Sequence, residues 1–440
     1  MVAVRQMGVL LRLVNSAVFL ALDVADVVLG WLLRWLDAFL LPSCADTSCR
    51  CKQASHQAGQ AVLYRSQGQD CGCWGLKSEV GGLALSAPGA SGRPLVREGS
   101  QYIVDQRSAR QEGGYPIRWT DCRCKACRAA HEGHQKAGHL FVRVEGAHDV
   151  PPVGADVIFL HGNLSSSNFW GDSVLPQLSP EFLSRHRVLL PDLLGLGRSP
   201  RPHACLYTIG EHLAALERSV LAAQGVGQFH LVGHSMGTLL CLALAAKYPH
   251  RVRSITLFAP VYITPQQDIP VCEALMKQWA PKAAWPPKDF ALSFICHYYH
   301  LSRAFCFGLC AHHRFWEPPL TALLQALWPR RFPSSLIVDF MQHSHESAWH
   351  MFHNTIRGGA HVLEPALECL RCAGVPISVV HGRHDIVCPY ESGEAMQARF
   401  GNVRFKGLPD ANHVTVVMGR EAQAAREVEA QVGRAEKQAR

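Results

Sequence analysis

The chain has 440 residues, with 43 Lys and Arg against 35 Asp and Glu, 48% hydrophobic residues and 17 Cys. That composition excludes a disordered chain or a collagen-like fibre and suits one large domain with appendages. A formal charge of +8 is too mild to point to nucleic acid. No uninterrupted apolar run reaches the roughly 18–20 residues of a simple span, which excludes a multi-span membrane protein.

Residues 1–43 read as one apolar helix. Between Met7 and Leu41, Arg12, Asn15, Asp23, Asp26, Arg34 and Asp37 interrupt the apolar sequence at intervals that repeat after eleven residues. At roughly 100° per residue these six fall on one stripe about 100° wide, leaving Val18, Phe19, Leu22, Val28, Leu29, Trp31 and Leu32 around the rest. The expectation is an uncleaved signal-anchor or interfacial helix that meets a membrane surface. Arg5 and Arg12 ahead of Leu13–Leu22 also suit a secretory signal, but Asp23 and Asp26 follow and no small-x-small cleavage site stands there. A helix packed on its own protein is the remaining alternative.

Residues 44–138 read as a cysteine-rich, partly disordered linker region. Eight of the 17 cysteines lie here, as Cys44, Cys49, Cys51, Cys71, Cys73, Cys122, Cys124 and Cys127. Eight thiols can form disulfides in an oxidising compartment, supply thiolates to zinc, or stay reduced or lipidated; the C-x-C spacings are not those of the common zinc finger. From Ser86 to Arg110 neither period is present. IRWTDCRCKAC, ending at Cys127, is denser in large and sulfur side chains and is expected to dock on the domain that follows.

Residues 139–440 alternate strand-like and helix-like stretches. Asp156–Leu160, Val188–Leu190, Phe229–Val232, Ser254–Phe258 and Ile377–Val380 are apolar runs. Phe169–Leu178, Ile209–Ala223, Met236–Tyr248 and Glu391–Phe400 carry apolar residues at helical spacing. The pattern predicts an α/β fold with a mostly parallel central sheet flanked by helices. After FHLV and before a helical stretch stands Gly233-His234-Ser235-Met236-Gly237, the context of a nucleophile elbow, whose sharp turn requires Gly233 and Gly237. Ser235 needs a base and an orienting carboxylate downstream in the order Ser, acid, His. Asp385 in VVHGRHD and His413 in LPDANHVTVV supply them. The oxyanion donors are expected to be the backbone N–H groups of Met236 and of Asn163, with Leu164 as the alternative, in the loop that opens at His161-Gly162. Asn163-Leu164-Ser165 is also a glycosylation sequon, expected to be unmodified because a glycan would block the site.

His-Gly-Asn at 161–163, PDLLGLGRSP at 191–200, GHSMG, HGRHD and NHVTVV together resemble the α/β-hydrolase superfamily. A narrower resemblance, to the plant BODYGUARD family of lysophospholipase-like hydrolases tied to cuticle formation, rests on the apolar N-terminus, RWTDCRCKAC, FLHGNLSSSNFW, LYTIGEHLAALERSV, APKAAWPP and HSHESAWHMFHN. The resemblance implies a hydrolase of fatty-acyl esters, membrane-associated or secreted at the plant cell wall or outer epidermal face, contributing to cutin or a related polyester. The endoplasmic reticulum membrane is the alternative location. An acyltransferase on the same triad, a non-enzymatic lipid-binding or scaffold protein, and a carbon–carbon bond hydrolase are the other readings. Ser at 235 argues against epoxide and haloalkane hydrolysis, which need a carboxylate nucleophile.

Over a hundred residues separate the strand ending at Ala259 from the helical stretch before Val375, too many for one loop, so a helical cap is expected at about 261–370. Trp279, Trp285, Phe290, Phe294, Tyr298, Tyr299, Phe305, Phe307, Trp316, Leu323 and Leu327 give it a composition suited to an acyl chain, or to the cap's own core. His343, His345, His350 and His353 form one dense cluster in sequence, and Cys306, Cys310, His312 and His313 another. Either cluster could ligate a metal or line the substrate channel, and the second role is favoured; ester hydrolysis by a triad requires neither metal nor cofactor, and none is expected.

Overall fold

The computed structural model describes residues 2–40, 121–125, 127–128, 138–147, 154–202, 205–265, 271–327 and 334–438. Most of the expected linker, with Cys44 to Cys73, lies outside the described residues.

Seven strands form one sheet: β1 (Val142–Gly146), β2 (Asp156–Leu160), β3 (Arg187–Pro191), β4 (Phe229–His234), β5 (Val252–Phe258), β6 (Ile377–Gly382) and β7 (Val403–Leu408). Their order is β1-β3-β2-β4-β5-β6-β7. β1 is antiparallel to β3, and every other pairing is parallel. DVIFL, FHLVGH and ISVVHG are buried along their whole length, as strands covered on both faces must be. Ile158 and Leu160 point to the core layer containing Leu239 to Ala246, while Val157 and Phe159 point to the opposite layer with Trp170, Ala424 and Val428. The edge strand β7 alternates instead, with Val403 and Leu408 buried and Arg404 and Lys406 exposed.

Thirteen α-helices are used below. α1 is Val2–Leu40; α2 (Pro180–Arg185), α3 (Ile209–Leu216) and α4 (Met236–Lys247) alternate with the first strands; α11 (Leu363–Cys372), α12 (Glu391–Arg399) and α13 (Glu421–Gln438) accompany the last. α3 opens on a capping box between Thr208 and Glu211, which satisfies two backbone donors at once. The helix expected at Phe169–Leu178 is only a turn at Asn168–Gly171 and a 3-10 turn at Leu175–Gln177; Pro176 cannot donate to a continuous ladder.

Between β5 and α11 lies an insertion of α5 (Val271–Trp279), α6 (Pro287–His297), α7 (Tyr299–Leu309), α8 (His313–Leu327), α9 (Ser334–Met341) and α10 (His345–His350). Trp279, Tyr298 and Tyr299 are buried within it, whereas Trp285, Phe305, Phe315, Leu323 and Leu327 are exposed.

α1 packs its polar stripe against this insertion. Asn15 donates to Lys282 O at 3.0 Å and accepts from Ala284 N at 2.7 Å. Asp26 accepts from Leu301 N at 2.8 Å, and Asp37 accepts from Arg303 Nη1 and Nη2, each at 2.7 Å. Gly30 lies where a Cβ would be 2.6 Å from His300. Much of the apolar side is left bare, with Leu20, Trp31, Trp35 and Phe39 all exposed. The helix thus packs on its own protein through its polar stripe, with Phe19 and Leu33 also buried.

Candidate active site

The turn from β4 into α4 holds Ser235 at φ 53°, ψ −123°, a conformation costly for any residue with a Cβ. Its neighbours make the turn possible by having no side chain. A Cβ on Gly237 would lie 2.3 Å from Leu160 O and 2.6 Å from His161 O, and one on Gly233 would meet Cys241 Sγ at 2.8 Å. The price in strain is offset by a well-packed frame, since the α4 residues from Met236 to Ala246 are buried.

Ser235 is buried to all but 9% of its surface, and its Oγ lies 2.9 Å from His413 Nε2. His413 Nδ1 donates to Asp385 Oδ2 at 2.8 Å. Asp385 Oδ1 accepts from Val387 N and Cys388 N, each at 2.8 Å, and His381 Nε2 stands 3.3 Å from Oδ2. Burial alone would raise the Asp385 carboxyl, but hydrogen bonds from His381, His413 and the Cys388 N–H outweigh it and hold the group well below the usual carboxylate range. An ionised carboxylate at this place fixes the Nδ1–H tautomer and leaves the Nε2 lone pair facing the Ser235 hydroxyl.

Met236 is the first residue of α4, so its N–H has no intrahelical acceptor and points out of the helix start. Gly162 faces it across the site: a Cβ there would be 3.1 Å from Ser235 Cβ. Leu164 N–H is engaged by Asn163 Oδ1 at 3.0 Å, and Leu164 adopts φ 53°. His161, buried and neutral because desolvation pushes its pKa down, donates from Nδ1 to Gly162 O and accepts Leu193 N–H at Nε2. It thereby ties the 161–164 loop to PDLLG, where buried Asp192 collects Ser167 N at 2.7 Å and Arg198 N at 2.8 Å.

Nothing in the sequence singles out His234. Its Nε2–H donates to the backbone carbonyl of His413 at 2.8 Å, and its ring stacks on Phe169 with centroids 4.7 Å apart. Burial pushes its pKa down to about 3, so it remains a neutral donor. Only the folded register, which sets β4 beside the loop after β7, exposes this contact. Asp339 on α9 is the second missed residue. It accepts from Ser166 Oγ at 2.7 Å and Asn168 Nδ2 at 3.0 Å, joining the insertion to the loop that follows Asn163.

The histidines and cysteines of the insertion group differently from their order in sequence. His313 sits with Cys122, Cys124 and Cys127, while His343 sits with Cys306 and Cys310. His353 lies buried between Trp349 O and Cys296 O, at 2.8 Å from each.

A family model for the α/β hydrolase fold matches residues 157–418. BODYGUARD 1 of Arabidopsis thaliana, named as a probable lysophospholipase, is 37% identical over 313 residues, covering 71% of this chain and 65% of that protein. BODYGUARD 4 of the same plant, named likewise, is 31% identical over 422 residues, covering 94% of both. The chain thus spans just under two thirds of the first relative and nearly all of the second. Among solved structures, a thermophilic esterase from Thermogutta terrifontis is similar at 20% identity and TM-score 0.40, over 67% of this chain and 93% of that one.

Proposed function

The chain belongs to the α/β-hydrolase family, with the BODYGUARD proteins among its relatives, and on that footing we propose that it is a serine hydrolase of fatty-acyl esters. One observation carries the reading: Ser235 Oγ, His413 Nε2 and Nδ1, and Asp385 Oδ2 form a continuous line of contacts at 2.9 and 2.8 Å on a strained turn. Ser235 attacks the ester carbonyl while His413 takes its proton; Asp385 holds the imidazolium; the N–H groups of Met236 and Asn163 receive the oxyanion. Asn163 is preferred to Leu164 because the latter's N–H already meets Asn163 Oδ1. His413 then returns the proton to the leaving alcohol, and water, or a second alcohol in an acyltransferase, releases the acyl group.

A lysophospholipid is the first substrate to test, because two relatives are named for that activity and the exposed apolar side of α1 offers contact with a lipid surface. Membrane association through α1, at the cell wall, the outer epidermal face or the endoplasmic reticulum, belongs to the same reading. A contribution to cutin or a related polyester rests on the motif resemblance.

The test is labelling of the full chain by a fluorophosphonate probe. Wild type is expected to label and Ser235→Ala not, with lysophospholipid turnover falling at least about 10³-fold in the variant. Folded wild type that resists the probe would overturn the hydrolase reading in favour of a lipid-binding or scaffold role.

A further inference from the structure

Away from the Ser235 site, four donors from distant parts of the chain converge. Cys122, Cys124, Cys127 and His313 present ligand atoms that all lie within 4.8 Å of one another. His313 Nε2 stands 3.6 Å from Cys124 Sγ and 3.7 Å from Cys127 Sγ. Zinc–sulfur bonds of about 2.3 Å and zinc–nitrogen bonds of about 2.0–2.1 Å, set at the tetrahedral angle, place nitrogen and sulfur roughly 3.6 Å apart. A single imidazole nitrogen nearly equidistant from two sulfurs, with a third close by, describes a tetrahedron better than a hydrogen bond to one thiol.

The surroundings fit a metal-bound thiolate centre. Cys124 N–H donates to Cys122 Sγ at 3.5 Å, and Cys127 N–H to Cys124 Sγ at 3.4 Å, bonds that favour negatively charged sulfur. The other ring nitrogen of His313 meets the Glu317 carboxylate one turn along α8. That contact fixes Nδ1–H, turns the Nε2 lone pair toward the sulfurs, and makes the imidazole a stronger ligand. Three thiolates and a neutral imidazole around Zn²⁺ leave one net negative charge. Arg201, buried, lines the same cavity as Asp121, Cys122 and Cys127 and brings one cation to the thiolates there. Cys127 and His313 are buried and Cys122 and Cys124 half-buried, so the centre is partly shielded from water.

We propose that Cys122, Cys124, Cys127 and His313 bind one structural Zn²⁺ ion, which cross-links the segment before the hydrolase fold to helix α8 of the insertion. Four protein ligands fill the tetrahedron, so the ion has no open position and takes no part in ester chemistry. The free thiols of Cys122, Cys124 and Cys127 lose their protons to solvent as the metal binds. The link joins residues nearly two hundred positions apart, and so it adds a restraint to the contacts that already hold the insertion on the body. Cys306, Cys310 and His343 form a neighbouring trio with three donors; the proposal concerns the four-ligand centre only.

The full chain, purified under reducing conditions without chelator, is analysed for metal by mass spectrometry. Wild type is expected to hold at least one zinc per chain. Cys127→Ser and His313→Ala should each hold about one fewer, whereas Cys372→Ser, an exposed thiol elsewhere, should match wild type. Cobalt exchange guards against variants that fail to fold: in a Cys310→Ser background, which disables the neighbouring trio, Co²⁺ should give the strong visible absorption and sulfur-to-metal charge transfer of a tetrahedral thiolate site. Zinc well below one per chain in wild type with no cobalt spectrum, or folded ligand variants with undiminished zinc, would overturn the proposal.

Discussion

His234 occupies one of the two variable positions of the G-x-S-x-G turn, and it holds His413, the proposed base, in place from behind. Its Nε2–H meets His413 O at 2.8 Å, and because its pKa is pushed down to about 3 this donor does not change across the working range of an ester hydrolase. His234→Phe keeps a ring to stack on Phe169 and removes the hydrogen bond. A neutral hydrogen bond of about 1–1.5 kcal/mol, lost in the alignment of the base, corresponds to roughly a tenfold fall in kcat. KM should hardly move, since no substrate contact is removed; steady-state kinetics against lysophospholipid check the split. A fall in binding with kcat unchanged would place His234 among the substrate contacts instead. Ser235, Asp385 and His413 were legible in the sequence because each stands at a strand end in a required order. His234 was not, because its partner is a backbone atom 179 positions away, and a backbone carbonyl leaves no mark on sequence.

On helix α9, one buried carboxylate, that of Asp339, ties the insertion to the loop after Asn163. Burial outweighs the hydrogen bonds from Ser166 and Asn168 and, with repulsion from Asp192 and Asp172, pushes the Asp339 pKa up to about 6. An unfolded Asp titrates near about 3.9. Between these values the folded chain binds more protons than the unfolded one, so stability falls as pH rises through the window and the penalty is complete above about pH 6. Asp339→Asn retains groups able to pair with Ser166 and Asn168 and carries no charge. Relative to wild type it should gain on the order of 2 kcal/mol at pH 7 over its standing at pH 4, read from urea midpoints at the two values. An unchanged difference between variant and wild type would mean that Asp339 is solvated in the folded chain. At this scale the sequence announced the strands, as unbroken apolar runs, and the length of the insertion. It did not announce how the insertion attaches, because Asp339 sits in a stretch whose apolar spacing is that of an ordinary helix and whose partners lie in a loop.

For the molecule as a whole, the eleven-residue repeat of polar side chains in α1 was legible and the surface it meets was not. Asn15, Asp26 and Asp37 face the insertion, and Arg303 is buried against Asp37. With its polar stripe so occupied, α1 turns its large apolar side chains outward: Trp31 is 71% exposed and Trp35 63%. The stretch Arg12–Asp37 is long and apolar enough to cross a membrane by length and composition, yet the hydrogen bonds along it bind it sideways to a helical insertion. Sideways contact favours a helix lying in the plane of the interface, with Trp285 and Phe315 of the insertion, also exposed, available on the same protein. Burying one Trp or Phe contributes roughly 2–3 kcal/mol, so replacing Trp31 and Trp35, the two largest exposed side chains of α1, by two charges should weaken partitioning sharply. The full chain should therefore float with phosphatidylcholine vesicles in a density gradient, and Trp31→Asp/Trp35→Asp should remain at the bottom while keeping its fluorophosphonate label. Retained label separates loss of the membrane contact from loss of the fold. A double variant that floats as wild type does would show that these two side chains do not meet lipid, and wild type that stays at the bottom would remove the argument for an interfacial helix.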